Sequence, residues 1–166
     1  SKFNYDGSHY LKDNNYFLMG TYCNVDGIDS YLVHANNETG EVTAVEVGDR
    51  CSIKLADSIE FYFTNRRIIF IMGVLRDKEY DRIIEQTHKY ADQIITVATP
   101  GNARAMSAYE LATEVAKVHP DVTAVDSIEE AVEISYLLAG KEDVILAFGS
   151  LSFMGRLLTI LEKRKA

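Results

Sequence analysis

The pattern of apolar and polar residues changes near residue 55, and each half of the chain predicts a different arrangement of strands. In the first half, short alternating runs are separated by connections rich in Asn, Asp and Gly, as in antiparallel strands joined by tight turns. The runs are YFLMGTY (16–22), DSYLVHA (29–35) and EVTAVEV (41–47). Residues 1–54 are therefore predicted to form an antiparallel β-meander.

The second half alternates continuously apolar runs with segments of helical periodicity. Strands that are apolar at every position are buried on both faces, and intervening helices indicate parallel pairing. The predicted strands are RIIFIMGVL (67–75), QIITVAT (93–99), VTAVD (122–126) and DVILAFGS (143–150). The expected fold class is α/β: a Rossmann-like, mostly parallel sheet with helices on both faces, joined to the antiparallel meander in one domain, 1–166.

Helices are predicted over residues 55–63, 77–91, 107–119, 127–140 and 153–165. Two of them begin with a capping box, in which a serine and a glutamate three residues later each bind the backbone N–H of the other. These pairs are Ser107 with Glu110 and Ser127 with Glu130. Gly140 is expected to close the second of these helices.

Charge and composition limit the classes of partner. The net charge of −8 repels a polyanion, so we expect no nucleic-acid partner. No apolar run approaches the roughly 18 residues that span a bilayer, so we expect no membrane segment. Cys23 and Cys51 lack metal-ligand spacing and the four histidines form no H-x-x-x-H pair, so we expect no metal site.

Without a secretory signal the cysteines favour reduced thiols and a cytoplasmic protein, although the alternative of a disulfide between them stays open.

Motifs for phosphoryl or acyl transfer are absent from the sequence. The stretch GSLSFMGR (149–156) has its glycines one residue too far apart for a Walker P-loop, and Arg156 stands in place of the lysine. No G-x-G-x-x-G follows a predicted strand, and no G-x-S-x-G nucleophile elbow occurs. Ser150 has no recognisable base, so a place near a helix N-cap is favoured. We predict no catalytic residue.

Residues that suit anions follow the predicted strands. In open α/β sheets, ligands bind outside the carboxyl ends of the strands. The segment GVLRDKEY (73–80) supplies Asp77, which can cap the next helix, and two cations, Arg76 and Lys78, that suit an anionic substrate.

A second loop of this kind is TPGNARA (99–105), in which Pro100 and Gly101 predict a tight turn that delivers Arg104 beside the next helix. Arginine binds carboxylates and phosphates through two parallel hydrogen bonds. The candidate substrate-binding residues are Asp77, Lys78, Arg104 and Ser150.

Three stretches, residues 66–86, 91–112 and 126–157, together resemble the C-terminal domain of folylpolyglutamate synthase/dihydrofolate synthase, a relative of the Mur ligases. The resemblance covers about residues 55–166. The family pattern has a G-V/M-x-x-D-K-D/E loop, a T-x-P-x-N-P-R-A loop and a final G-S-L-Y-x-x-G. This chain departs from it with Ala103 in place of a proline and with Ser152–Phe153 near the usual aromatic residue.

The resemblance implies a role in attaching glutamate to a folate carboxylate. In that family ATP first forms an acyl phosphate, which the glutamate amine then attacks, and this domain helps to bind ATP and glutamate. The P-loop and the magnesium ligands belong to a larger N-terminal domain of the family. We therefore expect an accessory domain that is inactive alone, binds glutamate or nucleotide weakly, and uses ATP and magnesium only when that context is restored.

The first half leaves two interpretations open. In the family, a D-G-A-H-N loop touches the nucleotide and a helix follows at once. Here Asp6–His9 matches this loop, but Tyr10 replaces the asparagine and the helix begins 45 residues later. Either the meander is an insertion, with Asp6 and His9 as nucleotide-binding residues, or the match is chance.

The second interpretation has a resemblance of its own. Residues 14–63 are similar to the C-terminal half of SUKH-type domains, which bind protein partners, often as immunity proteins, and have no catalytic residues. On this interpretation the chain is a chimera of two fragments, and the helix at 55–63 belongs to both resemblances. The chimera is either a natural protein that binds a protein partner or an engineered protein without a selected function.

Overall fold

The computed structural model describes the backbone of three segments in the first half of the chain, 16–21, 31–35 and 42–46. From there it describes residues 56, 59–60, 63, 65–76, 80–140, 143–149, 156–157 and 159–160. Side chains are described from Ala56 onward. Within the described helices, none is long and apolar enough to cross a membrane.

The described strands form one sheet of seven, in the order β3-β2-β1-β7-β4-β5-β6. Five of them, β1, β7, β4, β5 and β6, are parallel, and two more join at one side through antiparallel pairs, β2 with β1 and β3 with β2. Their bounds are β1 Tyr16–Thr21, β2 Tyr31–Ala35, β3 Val42–Glu46, β4 Ile68–Gly73, β5 Gln93–Thr96, β6 Val122–Ala124 and β7 Val144–Gly149.

The predicted meander is confirmed, and it is continuous with the parallel sheet. β1 pairs antiparallel with β2, and β2 pairs antiparallel with β3. β1 also pairs in parallel with β7 over six residue pairs, from Tyr16 opposite Val144 to Thr21 opposite Gly149. The antiparallel part therefore extends the sheet of the second half instead of forming a separate one.

Three helices have bounds in the structure: α1 Tyr80–Thr87, α2 Ala108–Ala116 and α3 Ile128–Leu138. A short 3-10 helix, His88–Tyr90, follows α1. Helical residues also occur at 56, 59–60, 156–157 and 159–160, within the first and last predicted helices.

Both predicted capping serines are confirmed. Ser107 Oγ accepts from the Glu110 N–H, and Ser127 Oγ accepts from the Glu130 N–H, each at 3.0 Å. These bonds satisfy N–H groups that have no partner within a helix, so they fix where α2 and α3 begin. Gly140 directly follows Ala139, the C-cap of α3, as expected.

Apolar side chains pack against both faces of the sheet, which confirms the predicted layers. On one face, Phe70, Phe148 and neighbouring strand residues pack against α1, α2 and the helical residues around Ile59. On the other face, Ile71 and Ile145 lie in a cluster with residues of α3 and with Leu157. Alternate residues of each strand thus supply two cores, because successive side chains point to opposite faces.

Arg67 holds the amino-terminal edge of the sheet together, a role that the sequence pattern did not indicate. Its Nε donates to Asp92 Oδ2 at 2.9 Å, and its Nη1 donates to Asp143 Oδ2 at 2.6 Å and to the Leu138 carbonyl at 2.9 Å. The hydrogen bond with Asp143 is the main reason that the pKa of Arg67 lies above its ordinary value. The segments before β4, β5 and β7 meet at this one guanidinium.

Candidate functional site

The strand order reverses at β4 and β7, and in open α/β sheets such a reversal marks a crevice at the carboxyl ends of the two strands. From β4 the chain passes through α1 to β5 and through α2 to β6, and it then returns through α3 to β7 on the other side of β4. Ligands of open α/β sheets bind where the strand order reverses in this way.

Two glycines lie side by side at this reversal. Gly73 ends β4 and is in register with Gly149, the last residue of β7. Thr21, which ends β1, lies opposite Gly149 on the other side. Because glycine has no side chain, a ligand can approach the backbone closely at both strand ends. The segments that leave β4 and β7 here are two of those from which the sequence predicted ligand contacts.

The loops after β4 and β5 pair with each other and form what we call the edge ribbon, residues 74–76 with residues 104–106. Leu75 and Ala105 form an antiparallel bridge. The Arg76 N–H donates to the Arg104 carbonyl at 2.6 Å, and the Met106 N–H donates to the Val74 carbonyl at 3.2 Å. Val74, Leu75 and Met106 are buried, so the ribbon is anchored in the core beside the crevice.

The turn before Arg104 confirms the predicted tight turn. Gly101 has a φ of +67°, in the left-handed region that favours glycine. Asn102 Oδ1 then accepts from the Arg104 N–H at 2.9 Å. Both backbone polar groups of Arg104 are thus held, one by Asn102 and the other by Arg76, while its side chain is exposed to solvent.

Arg76 and Glu110 form an ion pair between the edge ribbon and the start of α2. Arg76 Nη1 lies 2.6 Å from Glu110 Oε2, and Nη2 lies 2.9 Å from Oε1, so the pair is bidentate. The hydrogen bond to Arg76 is the largest cause that lowers the pKa of Glu110, and Ser107 adds smaller contributions. The same bond raises the pKa of Arg76.

This ion pair changes the expected role of Arg76. From the sequence, Arg76 and Lys78 were both expected to present positive charge to an anionic substrate. The structure instead shows the Arg76 guanidinium bound to a carboxylate of the chain. Glu110 could not be inferred from the sequence as the partner of Arg76, because the two residues are 34 positions apart. The position of Glu110 three residues after Ser107 indicated only a capping box.

Removing Arg76 is expected to raise the pH at which Glu110 titrates. Because its pKa is lowered in the folded chain, the stabilisation from this carboxylate is present above its unfolded pKa and is lost as the pH falls through its folded pKa. In R76Q the Glu110 carboxyl carbon should titrate at a higher pH than in the wild type, as followed by NMR. A midpoint that does not move would show that the pair does not form in solution.

The other candidate site residues, Asp77, Lys78, Ser150, Asp6 and His9, lie outside the described residues, so their proposed roles stay predictions. The cysteines, Cys23 and Cys51, also lie outside that part of the chain. Among the residues that the structure describes, no group of three or more His, Cys, Asp or Glu could hold a metal ion.

The mostly parallel sheet with a core on each face defines an α/β domain. Residues 52–151, more than half of the 166-residue chain, match the model of the family described as Mur ligase, glutamate ligase domain. The chain belongs to this family. The match starts after the meander, so the similarity of residues 14–63 to SUKH-type domains stays a prediction. No curated protein sequence matches the chain.

Solved structures with the same fold include folylpolyglutamate synthases. The Mycobacterium tuberculosis enzyme complexed with ADP and AMPPCP has a TM-score of 0.62 at 20% identity. The match covers 68% of this chain and 27% of the M. tuberculosis chain. E. coli FolC in complex with DHPP and ADP has a TM-score of 0.63 at 19% identity, with coverages of 70% and 27%. The chain thus spans about a quarter of the length of these proteins, and at this identity the likeness shows the fold alone.

Proposed function

We propose that this chain is an accessory domain of a glutamate ligase, which binds an anionic ligand, glutamate or nucleotide, at the carboxyl edge of its sheet. The observation that carries the proposal is the arrangement at the crevice. Gly73 and Gly149 end adjacent strands, and the edge ribbon, which begins directly after Gly73, holds the backbone of Arg104 opposite Arg76. Asp77, Lys78 and Ser150 belong to the same proposed site, since each follows one of these strands within a few residues.

The edge suits small anions rather than a polyanion. The whole chain carries a net charge of −8, which disfavours long-range attraction of nucleic acid. A single arginine at a crevice can still bind a carboxylate or phosphate through two charged hydrogen bonds. The ligand chemistry that this edge supports is therefore a carboxylate or phosphate group, as in the ligands expected from the family.

Catalysis is proposed to require a second domain. Phosphoryl transfer depends on a phosphate cradle and metal ions that stabilise developing charge. The sequence has no Walker P-loop, and the described residues include no metal-binding cluster. The domain would then contribute binding and closure, while the phosphate cradle and the magnesium ligands would come from a complementary domain. The match of this chain to about a quarter of the folylpolyglutamate synthase structures supports this division.

An NMR titration with ATP–magnesium and with L-glutamate tests the proposal. Amide shifts are expected at residues 73–76 and 101–106, because these segments follow the carboxyl ends of β4 and β5, and not at Arg67 or Asp92 on the opposite edge. R104Q should weaken the binding by about 5- to 10-fold, since it removes charged hydrogen bonds to the ligand.

K117Q is the matched control for R104Q. Lys117 is the C-cap of α2, at the opposite end of that helix from Ser107, and its ammonium group pairs with Glu114 at 2.7 Å. The substitution removes the same single positive charge away from the crevice, so the affinity should stay close to that of the wild type. If the wild type shows no response at millimolar ligand, or if both variants lose affinity equally, the proposed site is wrong.

A further inference from the structure

We propose that Arg76 and Glu110 are positioning residues for anion binding, which fix the edge ribbon and thereby the place of Arg104. The inference rests on the proposed function, because it gives these two residues the task of placing a ligand-binding side chain. Neither residue has to touch the ligand itself.

The hydrogen bonds of the edge ribbon connect the two residues to Arg104 directly. The Arg76 N–H holds the Arg104 carbonyl at 2.6 Å, so any shift of Arg76 also moves the backbone of Arg104. Asn102 holds the Arg104 N–H from the other side. Residues 104–106 of the ribbon run directly into Ser107, the N-cap of α2, and the ion pair of Arg76 with Glu110 ties the other side of the ribbon to the same helix.

Glu110 is a fixed anchor because the start of α2 holds it. Its N–H donates to Ser107 Oγ at 3.0 Å. The start of α2 is tied to the sheet, because the buried Thr96 hydroxyl donates to the Ala108 carbonyl at 2.7 Å. The backbone from which the Glu110 carboxylate extends is therefore held by the N-cap of the helix and, through Thr96, by β5.

The exposure of the pair argues that its main contribution is geometric. The side chains of Arg76 and Glu110 are 55% and 45% exposed, and exposed ion pairs add little to stability. Two parallel N–H···O bonds nevertheless restrict the orientation of both groups more than a single contact does. Such a pair suits the placing of a loop better than the stabilising of a fold.

The variant E110Q separates positioning from simple electrostatics. Glutamine keeps the capping box but loses the charge that binds Arg76. Removing a negative charge near an anion site should tighten anion binding, whereas loss of positioning should weaken it. We expect the affinities for inorganic tripolyphosphate and for L-glutamate to fall about 3- to 10-fold. Amide hydrogen exchange at Arg76 and Arg104 should also become faster.

The matched control is E114Q, which removes an equal charge from the same helix and breaks the Glu114–Lys117 pair instead. R76K tests the geometry, because lysine keeps the charge without the bidentate contact, and it should lose affinity like E110Q. If the wild type binds and E110Q binds as tightly as E114Q, the positioning role of Arg76 and Glu110 is wrong and the proposed function stands. If the wild type binds neither probe, the proposed function fails, and this inference fails with it.

Discussion

Replacing Phe148 with alanine is expected to lower the free energy of unfolding by about 3–5 kcal/mol. Phe148 lies in β7, between β1 and β4, and it is fully buried. Its ring meets Phe70 edge to face, with 5.1 Å between the ring centroids and an interplanar angle of 82°. The substitution leaves a cavity at the centre of the sheet and removes this aromatic contact. Urea unfolding followed by circular dichroism measures the loss.

Y109A is the control for this variant. Tyr109 is also an aromatic residue of the folded region, but it is 77% exposed at the start of α2. Its replacement should change the free energy of unfolding by less than about 0.5 kcal/mol. A loss below about 1 kcal/mol for F148A would contradict a close-packed core at this position.

Replacing Arg67 with methionine is expected to lower the free energy of unfolding by about 2 kcal/mol. Methionine keeps much of the apolar stem but removes the bonds to Asp92, Asp143 and the Leu138 carbonyl. The Asp143 side chain is only 15% exposed, so water replaces the lost partner incompletely. The Arg67 side chain is 39% exposed, which limits the loss to less than that of a fully buried network.

The comparison for Arg67 is K117M, which removes one exposed ion pair with Glu114. That variant should lose no more than about 0.5 kcal/mol. Equal losses in R67M and K117M would mean that Arg67 acts as an ordinary surface cation. Thermal unfolding at low and high salt gives an independent check, because the half-buried contacts of Arg67 should be screened less.

Elements with a strong local signal could be predicted from the sequence. The apolar runs containing Ile68–Gly73 and Val144–Gly149 are strands, and Ser107 and Ser127 cap helices as their spacing indicated. Each of these features depends on residues within one turn or one strand. Strand order could not be predicted in this way, since the pairing of Phe17 with Ile145 joins residues from opposite ends of the chain.

The candidate site was predictable to a similar extent. The turn at Gly101 depends on two neighbouring residues, and its left-handed backbone follows from the glycine. The role of Arg76 depends on Glu110, which only folding brings near it. The local sequence therefore predicted that Arg76 contacts a ligand, whereas the structure pairs its guanidinium with the Glu110 carboxylate. Arg67 was missed for the same reason, because its partners come from two other connections, Asp92 before β5 and Leu138 with Asp143 before β7.

Because β1 pairs with β7, the hydrogen-bonded sheet includes residues that precede the part of the chain matched by the family model. The match begins at residue 52, whereas the first described strand of the sheet begins at Tyr16. A fragment cut at the family boundary would leave β7 as a bare edge strand, with the apolar run Val144–Phe148 beside unpaired N–H and C=O groups. Because such edges associate readily with other strands, we expect a fragment without the meander to aggregate more readily than the full chain.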